Sequence, residues 1–367
     1  MADSLPHPLP AGAVLRPVEL PARADAGPTA QIREYAAVRN ASLRQVTGRD
    51  DDDLTAEELL PLMFSDDDRV RQYWSIEHGD DVIGCMTASV LADDGGSTGM
   101  GTIALLRDHW GRGIGSAVFE HLEGWVRDRG AQRLLSWADH ERAGSVDELA
   151  SPTGFGAVPR DHAARFLQRH GYTLEQVERA SALVWDDTTS GHLDALLAET
   201  LTHAEGYRVV QWMLPTPDAH IDGYAWMKSR MSTDVPDADL GMPLEVWDAD
   251  RVRRHDGRYA AMGVTVQVTA AQHIGTGELC AFNELAIGAD PTRPTDQQDT
   301  LVLAEHRGHR LGMLVKLAGL QSWRLQHPSS PRVITYNAEE NRPMLSINES
   351  IGFAPVAYNG AWKKVLT

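Results

Sequence analysis

The chain has 367 residues, enough for two domains with separate cores, and its 42% hydrophobic and 23% charged content excludes fibrous and disordered classes. A formal charge of −18 argues against a nucleic-acid ligand, because an acidic surface repels phosphate backbones, and it suits a cationic substrate such as an amine. No stretch reaches the ~20 apolar residues needed to cross a bilayer, so no membrane partner is expected. The N-terminus has neither a basic nor an apolar signal region, and the two cysteines, Cys85 and Cys280, fall one in each half; both features predict buried thiols in a reducing cytoplasm.

Residues 1–12 carry three prolines and little pattern, which predicts a flexible arm. Residues 30–43 place Ile32, Tyr35, Ala36 and Val38 at helical spacing. The acidic run 50–53 reads as a solvated loop feeding a helix N-terminus, and no metal is expected there or elsewhere. Residues 72–77 and 81–90 form a hairpin pattern around His78-Gly79-Asp80. A short buried strand at 102–106 follows, then a helix over 116–130 and a strand over 132–137. The glycine- and serine-rich stretch 139–158 predicts an insertion or mobile loop. A helix over 160–169 and a strand over 181–185 close the first half.

The polar run at 186–191 predicts a linker over 187–191, which separates a first domain at 13–186 from a second at 192–367. The second half repeats the scheme. Helices are expected over 192–204 and 219–231, and a hairpin from 263–270 and 278–287 turned by Gly275-Thr276-Gly277. A strand at 300–304, a helix at 313–326 and a strand at 332–336 follow.

Two markers recur in the same order. A glycine-rich turn between strand and helix occurs at Trp110-Gly111-Arg112-Gly113-Ile114-Gly115 and again at Arg307-Gly308-His309-Arg310-Leu311-Gly312. Each is followed by a helix that ends in glycine and an aromatic, Gly171-Tyr172 and Gly352-Phe353. The repetition implies a duplicated domain. Small residues in such a turn let backbone N–H groups converge at a helix start, whose positive dipole end favours a phosphate. A dinucleotide-binding oxidoreductase would place the turn after the first strand of a βαβ unit, whereas hairpin-like strands precede both turns here.

This order resembles the GNAT (GCN5-related) superfamily of acyl-CoA-dependent N-acetyltransferases, and the tandem form is similar to actinobacterial proteins with the architecture of mycothiol synthase. The resemblance implies an α/β fold of two tandem GNAT domains. Each would have a mixed, mostly antiparallel sheet flanked by helices, with a splayed strand pair holding CoA. It implies acetyl-CoA as cofactor. In the second half, Val302, Leu303 and Ala304 would meet the pantetheine arm, and Arg307, Gly308, His309, Arg310, Leu311, Gly312 and Met313 the pyrophosphate, with Asn337 and Asn341 completing the set. In the first half, Gly111, Arg112, Gly113, Ile114 and Gly115 keep the loop. There Trp110 and Arg160 replace the family's Arg or Gln and its asparagine. Leu167 and Asn348 stand where the family carries a tyrosine that protonates the leaving thiolate, and Tyr358 and Tyr336 are substitutes by proximity in sequence.

Direct attack of an amine on a thioester needs positioning and a group to take the ammonium proton. Glu284, in Phe282-Asn283-Glu284-Leu285, and Asp299, just before the strand that enters the second turn, are the carboxylates best placed to be that base, with His306 beside the loop a third candidate. The catalytic expectation is therefore Glu284, Asp299 and Tyr358, with chemistry in the second domain and the first inactive or merely CoA-holding. The product would be an acetylated small-molecule amine, made by a monomer or homodimer. The alternative is a non-catalytic acyl-CoA-binding sensor or scaffold.

Overall fold

A computed structural model describes residues 5–140 and 147–366. In chain order the first half contains β1 (His7–Pro8), β2 (Val14–Pro17), α1 (Ala30–Thr47), α2 (Ala56–Met63), β3 (Arg69–His78), β4 (Asp81–Leu91), β5 (Thr98–Leu105), α3 (Ile114–Arg127), β6 (Arg133–Asp139), β7 (Glu148–Ala150), β8 (Ala157–Pro159), α4 (His162–Arg169) and β9 (Thr173–Val184). The second half contains α5 (Thr189–Leu201), β10 (Tyr207–Met213), α6 (Asp218–Asp234), α7 (Ala249–Met262), β11 (Thr265–His273), β12 (Leu279–Ile287), β13 (Thr295–Val302), α8 (Leu311–Gln326), β14 (Arg332–Ala338), α9 (Arg342–Ile351) and β15 (Ala354–Val365).

Two compact units result, but not by a single cut. The first unit takes residues 1–177, 238–243 and 357–367, and the second takes 178–237 and 244–356. The expected boundary at 187–191 is therefore crossed three times: the end of β9 serves the second unit, and residues 238–243 and 357–367 serve the first. Residues 178–184 pair antiparallel with β14, while residues 359–365 pair antiparallel with β6. Residues 189–191 of the expected linker already belong to α5.

The sheet of the first unit runs β1-β2-β3-β4-β5-β6-β15, and that of the second runs β9-β14-β13-β12-β11-β10. All pairs in each are antiparallel except β5 with β6 and β13 with β14. This mixed, mostly antiparallel sheet with flanking helices matches the architecture expected from the sequence.

Local sequence sets the helix ends. Thr29 caps α1, Thr55 and Glu58 form a reciprocal capping box on α2, and Gly48 ends α1 in the left-handed region at φ 68. Burial does the rest: α8 turns Leu311, Leu314, Val315, Leu317, Leu320 and Trp323 inward, onto β11 and β12.

Three local expectations need correction. Residues 5–12 are docked, since His7 pairs with Leu15 and Leu9 is buried in the first unit's core; residues 1–4 lie outside the described ones. In the acidic run, Asp51 and Asp53 are buried partners of Arg49 and Arg44, because arginines from α1 and the turn after it reach over the loop. In the expected loop 139–158, residues 141–146 lie outside the described ones, and β7 and β8 pair as a hairpin.

Candidate acyl-transfer site

The two parallel strand pairs are the feature on which a thioester site would be built. β13 and β14 pair at Thr295↔Val333, Asp296↔Ile334 and Gln297↔Thr335; among the described residues the pairing then stops, so 298–302 and 336–338 diverge. β5 and β6 do the same after Met100↔Leu135. Each opening leads into one of the glycine turns. In the second unit Gly308 and Arg310 sit in the left-handed region at φ 91 and 53. Leu314 N–H is the first to close a helical bond, 3.0 Å from Arg310 O, so the N–H groups of residues 311–313 have no acceptor within α8. In the first unit Gly111 and Gly113 have φ 73 and 80, and Ala117 N–H bonds Gly113 O at 3.2 Å. Both turns thus leave backbone donors without helical acceptors at a helix start, the kind of arrangement that binds a phosphate.

The turn's arginines are partly engaged by the protein. Arg307 Nε reaches Val302 O at 3.3 Å, and Arg310 pairs with Glu199 at 2.6 Å. Gly312 is closely packed, so that an added side chain would displace its neighbours. A Cβ there would lie 3.2 Å from Ile347 Cδ1 and 3.4 Å from Val302 Cγ2.

In the second unit the two expected carboxylates come together, for a reason the sequence hides. The β12–β13 ladder shifts register between Asn283↔Thr300 and Leu285↔Gln297, so Glu284 faces the two residues Gln298 and Asp299. The preceding rungs, Ala281↔Val302 to Asn283↔Thr300, set Glu284 opposite Asp299 on one face of the sheet, and the ladder shifts immediately after them. α6 supplies the third member: Lys228 Nζ lies 2.5 Å from Asp299 Oδ2 and 3.4 Å from Glu284 Oε1. Tyr224 Oη, one helical turn earlier, donates to the same Glu284 oxygen. The ammonium also stands 5.1 Å from the ring centroid of Trp247 and 5.8 Å from that of Phe282.

This environment sets the charges. Burial pushes the Glu284 carboxyl above its usual range, against the opposing pull of Lys228. For Lys228 burial acts to lower the pKa, and the Asp299 and Glu284 carboxylates outweigh it, so the ammonium is held above its ordinary value. Glu284 is 1% exposed, whereas the Asp299 side chain is 38% exposed. Glu284, expected as a base, is thus buried and enclosed by Tyr224 and Lys228, and Lys228 bridges it to Asp299. Neither Tyr224 nor Lys228 was singled out from the sequence, although their i, i+4 spacing on one helix face was visible.

The first unit contains the same scaffold with different chemistry. Counted back from the two glycine turns, Leu105 matches Val302, so Gly84↔Leu105 matches Ala281↔Val302. Thr87 and Thr102 then occupy the places of Glu284 and Asp299. Tyr35 and Arg39 on α1 match Tyr224 and Lys228 on α6, and Tyr35 Oη lies 2.8 Å from Thr87 Oγ1. The first-unit ladder has no bulge at this point.

Other expected residues are placed as follows. Tyr358 belongs to the first unit and packs against that unit's core, so it is not a member of the unit holding Glu284; the strand carrying it is exchanged. The tyrosines beside the carboxylates are Tyr224 and Tyr259, the latter bonded to Gln298 at 2.7 Å. Asn341 caps α9 by accepting from Met344 N–H. Asn337 Oδ1 accepts from Asn348 Nδ2 at 2.7 Å, and the buried Asn348 Oδ1 has no partner. His306 sits in the turn before Arg307, its Nδ1 2.9 Å from Tyr207 Oη. A further buried group went unnoticed in the sequence: Lys316 on α8 is 1% exposed, and burial lowers its pKa to about 7.

Residues 36–155 match the Acetyltransferase (GNAT) family model. Among solved structures, a tandem GNAT protein from the clavulanic acid biosynthesis pathway, determined without AcCoA, is 21% identical at a TM-score of 0.71, over 96% of this chain and 99% of that one. A GCN5-related N-acetyltransferase from Sphaerobacter thermophilus is 14% identical at a TM-score of 0.61, over 98% of this chain and 97% of that one. No curated protein matches the sequence. The chain has a tandem GNAT fold, with a match to the family model over residues 36–155. The family match lies in the first half, whereas the paired carboxylates lie in the second.

Proposed function

We propose that the protein transfers an acetyl group from acetyl-CoA to the amine of a small molecule, with the chemistry in the second unit. The observation that carries this reading is the exchange of residues at equivalent places. Glu284 and Asp299 stand beside the strand opening of the second unit where the first has Thr87 and Thr102, which cannot accept a proton at neutral pH.

Acetyl-CoA supplies an activated thioester. The residues of the second unit fit it: the turn 307–313 offers backbone donors and Arg307 for the pyrophosphate, and the diverging edges of β13 and β14 offer unpaired backbone for the pantetheine arm. Asp299, the accessible carboxylate, attracts the substrate ammonium and takes its proton. The freed amine would attack the thioester carbon, the C–S bond would break, and the proton that the attacking nitrogen sheds would pass through solvent to the departing thiolate. Glu284 acts as a positioning residue, holding Lys228 and Tyr224 so that Asp299 is fixed at the opening. The acidic chain favours a cationic acceptor.

The test is release of free CoA thiol from acetyl-CoA in the presence of a panel of primary amines. Amine-dependent release that Asp299→Asn lowers on the order of 10²-fold supports the reading. Acetyl-CoA binding without turnover on any amine would replace it with a sensor or scaffold.

A further inference from the structure

Outside the acyl-transfer site, three side chains of different donor chemistry converge at one edge of the second unit. One ligand atom each from Glu278, Cys280 and His306 lies within 4.8 Å of the other two. We propose that they form a binding site for a single divalent cation of the zinc class.

The backbone builds the constellation. Glu278 immediately precedes β12 and Cys280 lies two residues on, within it, with their ligand atoms close together. Leu303 N–H bonds Cys280 O at 2.9 Å, and His306 N–H bonds Leu303 O at 2.9 Å. These two bonds carry the turn with His306 to the sulfur. Tyr207 Oη lies 2.9 Å from His306 Nδ1, so Nδ1–H can donate to the phenol and leave Nε2 with its lone pair. That is the outer arrangement metal-bound histidines adopt. Nε2 faces Glu278 Oε2 at 3.5 Å.

The separations fit the ion. Tetrahedral zinc, with bonds of about 2.0–2.3 Å, sets its ligand atoms about 3.3–3.8 Å apart. The present separations, up to 4.8 Å, would close to that on binding through side-chain rotation of Glu278 and His306 toward Cys280. A thiolate, a carboxylate and a neutral imidazole around a divalent ion give zero net charge, which suits a partly buried site. Sulfur and imidazole together select zinc-class ions over magnesium or calcium. Three protein ligands leave one position open to water. The clamp would join the end of the β11–β12 hairpin to the residue that precedes Arg307.

The site is tested without any turnover, on full-length chain lacking a polyhistidine tag and stripped by chelator. Cobalt(II) titration should saturate at one equivalent with a thiolate charge-transfer band in the near ultraviolet. Zinc should displace it. Cys280→Ala should abolish the band and Cys85→Ala should keep it. His306→Asn and Glu278→Gln, both outside the packed core, should weaken zinc binding on the order of 10–100-fold. No saturable band, a band that survives Cys280→Ala, or zinc affinity unchanged in the Glu278→Gln and His306→Asn variants would overturn the assignment. Should Cys280→Ala not fold, those two surface variants decide it.

Discussion

Lys228 bridges to Asp299 at 2.5 Å while its other side meets the buried Glu284 at 3.4 Å. An ammonium of the chain itself therefore ties the two carboxylates into one unit, and substitution at any member is felt by the others.

Removing the cation should expose this coupling. Lys228→Met leaves Glu284 buried beside Tyr224 with no counter-charge, and the expected cost is about 3–5 kcal/mol in denaturant unfolding. The double variant Lys228→Met/Glu284→Gln should recover much of that loss. If the single variant is as stable as the parent, the pair is not a buried ion pair in solution.

The pH dependence follows from the direction of the Glu284 shift. Its folded pKa is raised by burial, so between the ordinary carboxylate value and the raised one the folded state holds a proton that the unfolded state has lost. Stability from this group is thus present at low pH and declines as pH rises through that window. Glu284→Gln should flatten this limb in a series of unfolding curves. As a positioning residue it should also lower kcat more than it changes KM for acetyl-CoA.

Lys316 gives the opposite sign. Its folded pKa, about 7 through burial, lies below its unfolded value. The penalty is full below pH 7 and shrinks as pH rises toward the ordinary lysine range. Lys316→Met should therefore stabilise the protein by roughly 1–3 kcal/mol near pH 6, with the gain falling at pH 9. A gain that does not vary with pH would show that the amine is not buried as a cation.

The two glycine turns should respond unequally. Gly308→Val imposes a β-branched residue at φ 91 and should weaken acetyl-CoA binding at least 10-fold with loss of turnover. Gly111→Val, at φ 73, should leave turnover within about twofold if the first unit does no chemistry. Point substitution is the right test, because a chain cut near residue 187 lacks residues 357–367 of the first unit. Equal loss in both variants would place chemistry or essential cofactor binding in both units.

Much of this protein was legible in one dimension. The repeated glycine turns, the hairpins ahead of them and the helices behind are local patterns, set by hydrophobic period and by glycines with positive φ, and the structure places elements where those patterns lie. Helix α7 was missed because its apolar face is thin, with Val252 as its buried aliphatic residue and Arg251 and Asp256 buried beside it. The sequence also marked Glu284, on the hairpin strand, and Asp299, ahead of the strand that enters the second turn.

Only the tertiary structure decided what those residues do. The pairing register of a ladder is a property of two strands, so no spacing within β13 shows that Asp299 stands opposite Glu284. The same holds for Lys228 and Tyr224, whose role depends on which face of the sheet α6 covers. Strand exchange removed Tyr358 from the second unit, because pairing partners are chosen by backbone hydrogen bonding over long sequence separation. Cys280 and His306 are 26 residues apart and meet only through the backbone bonds that Leu303 makes.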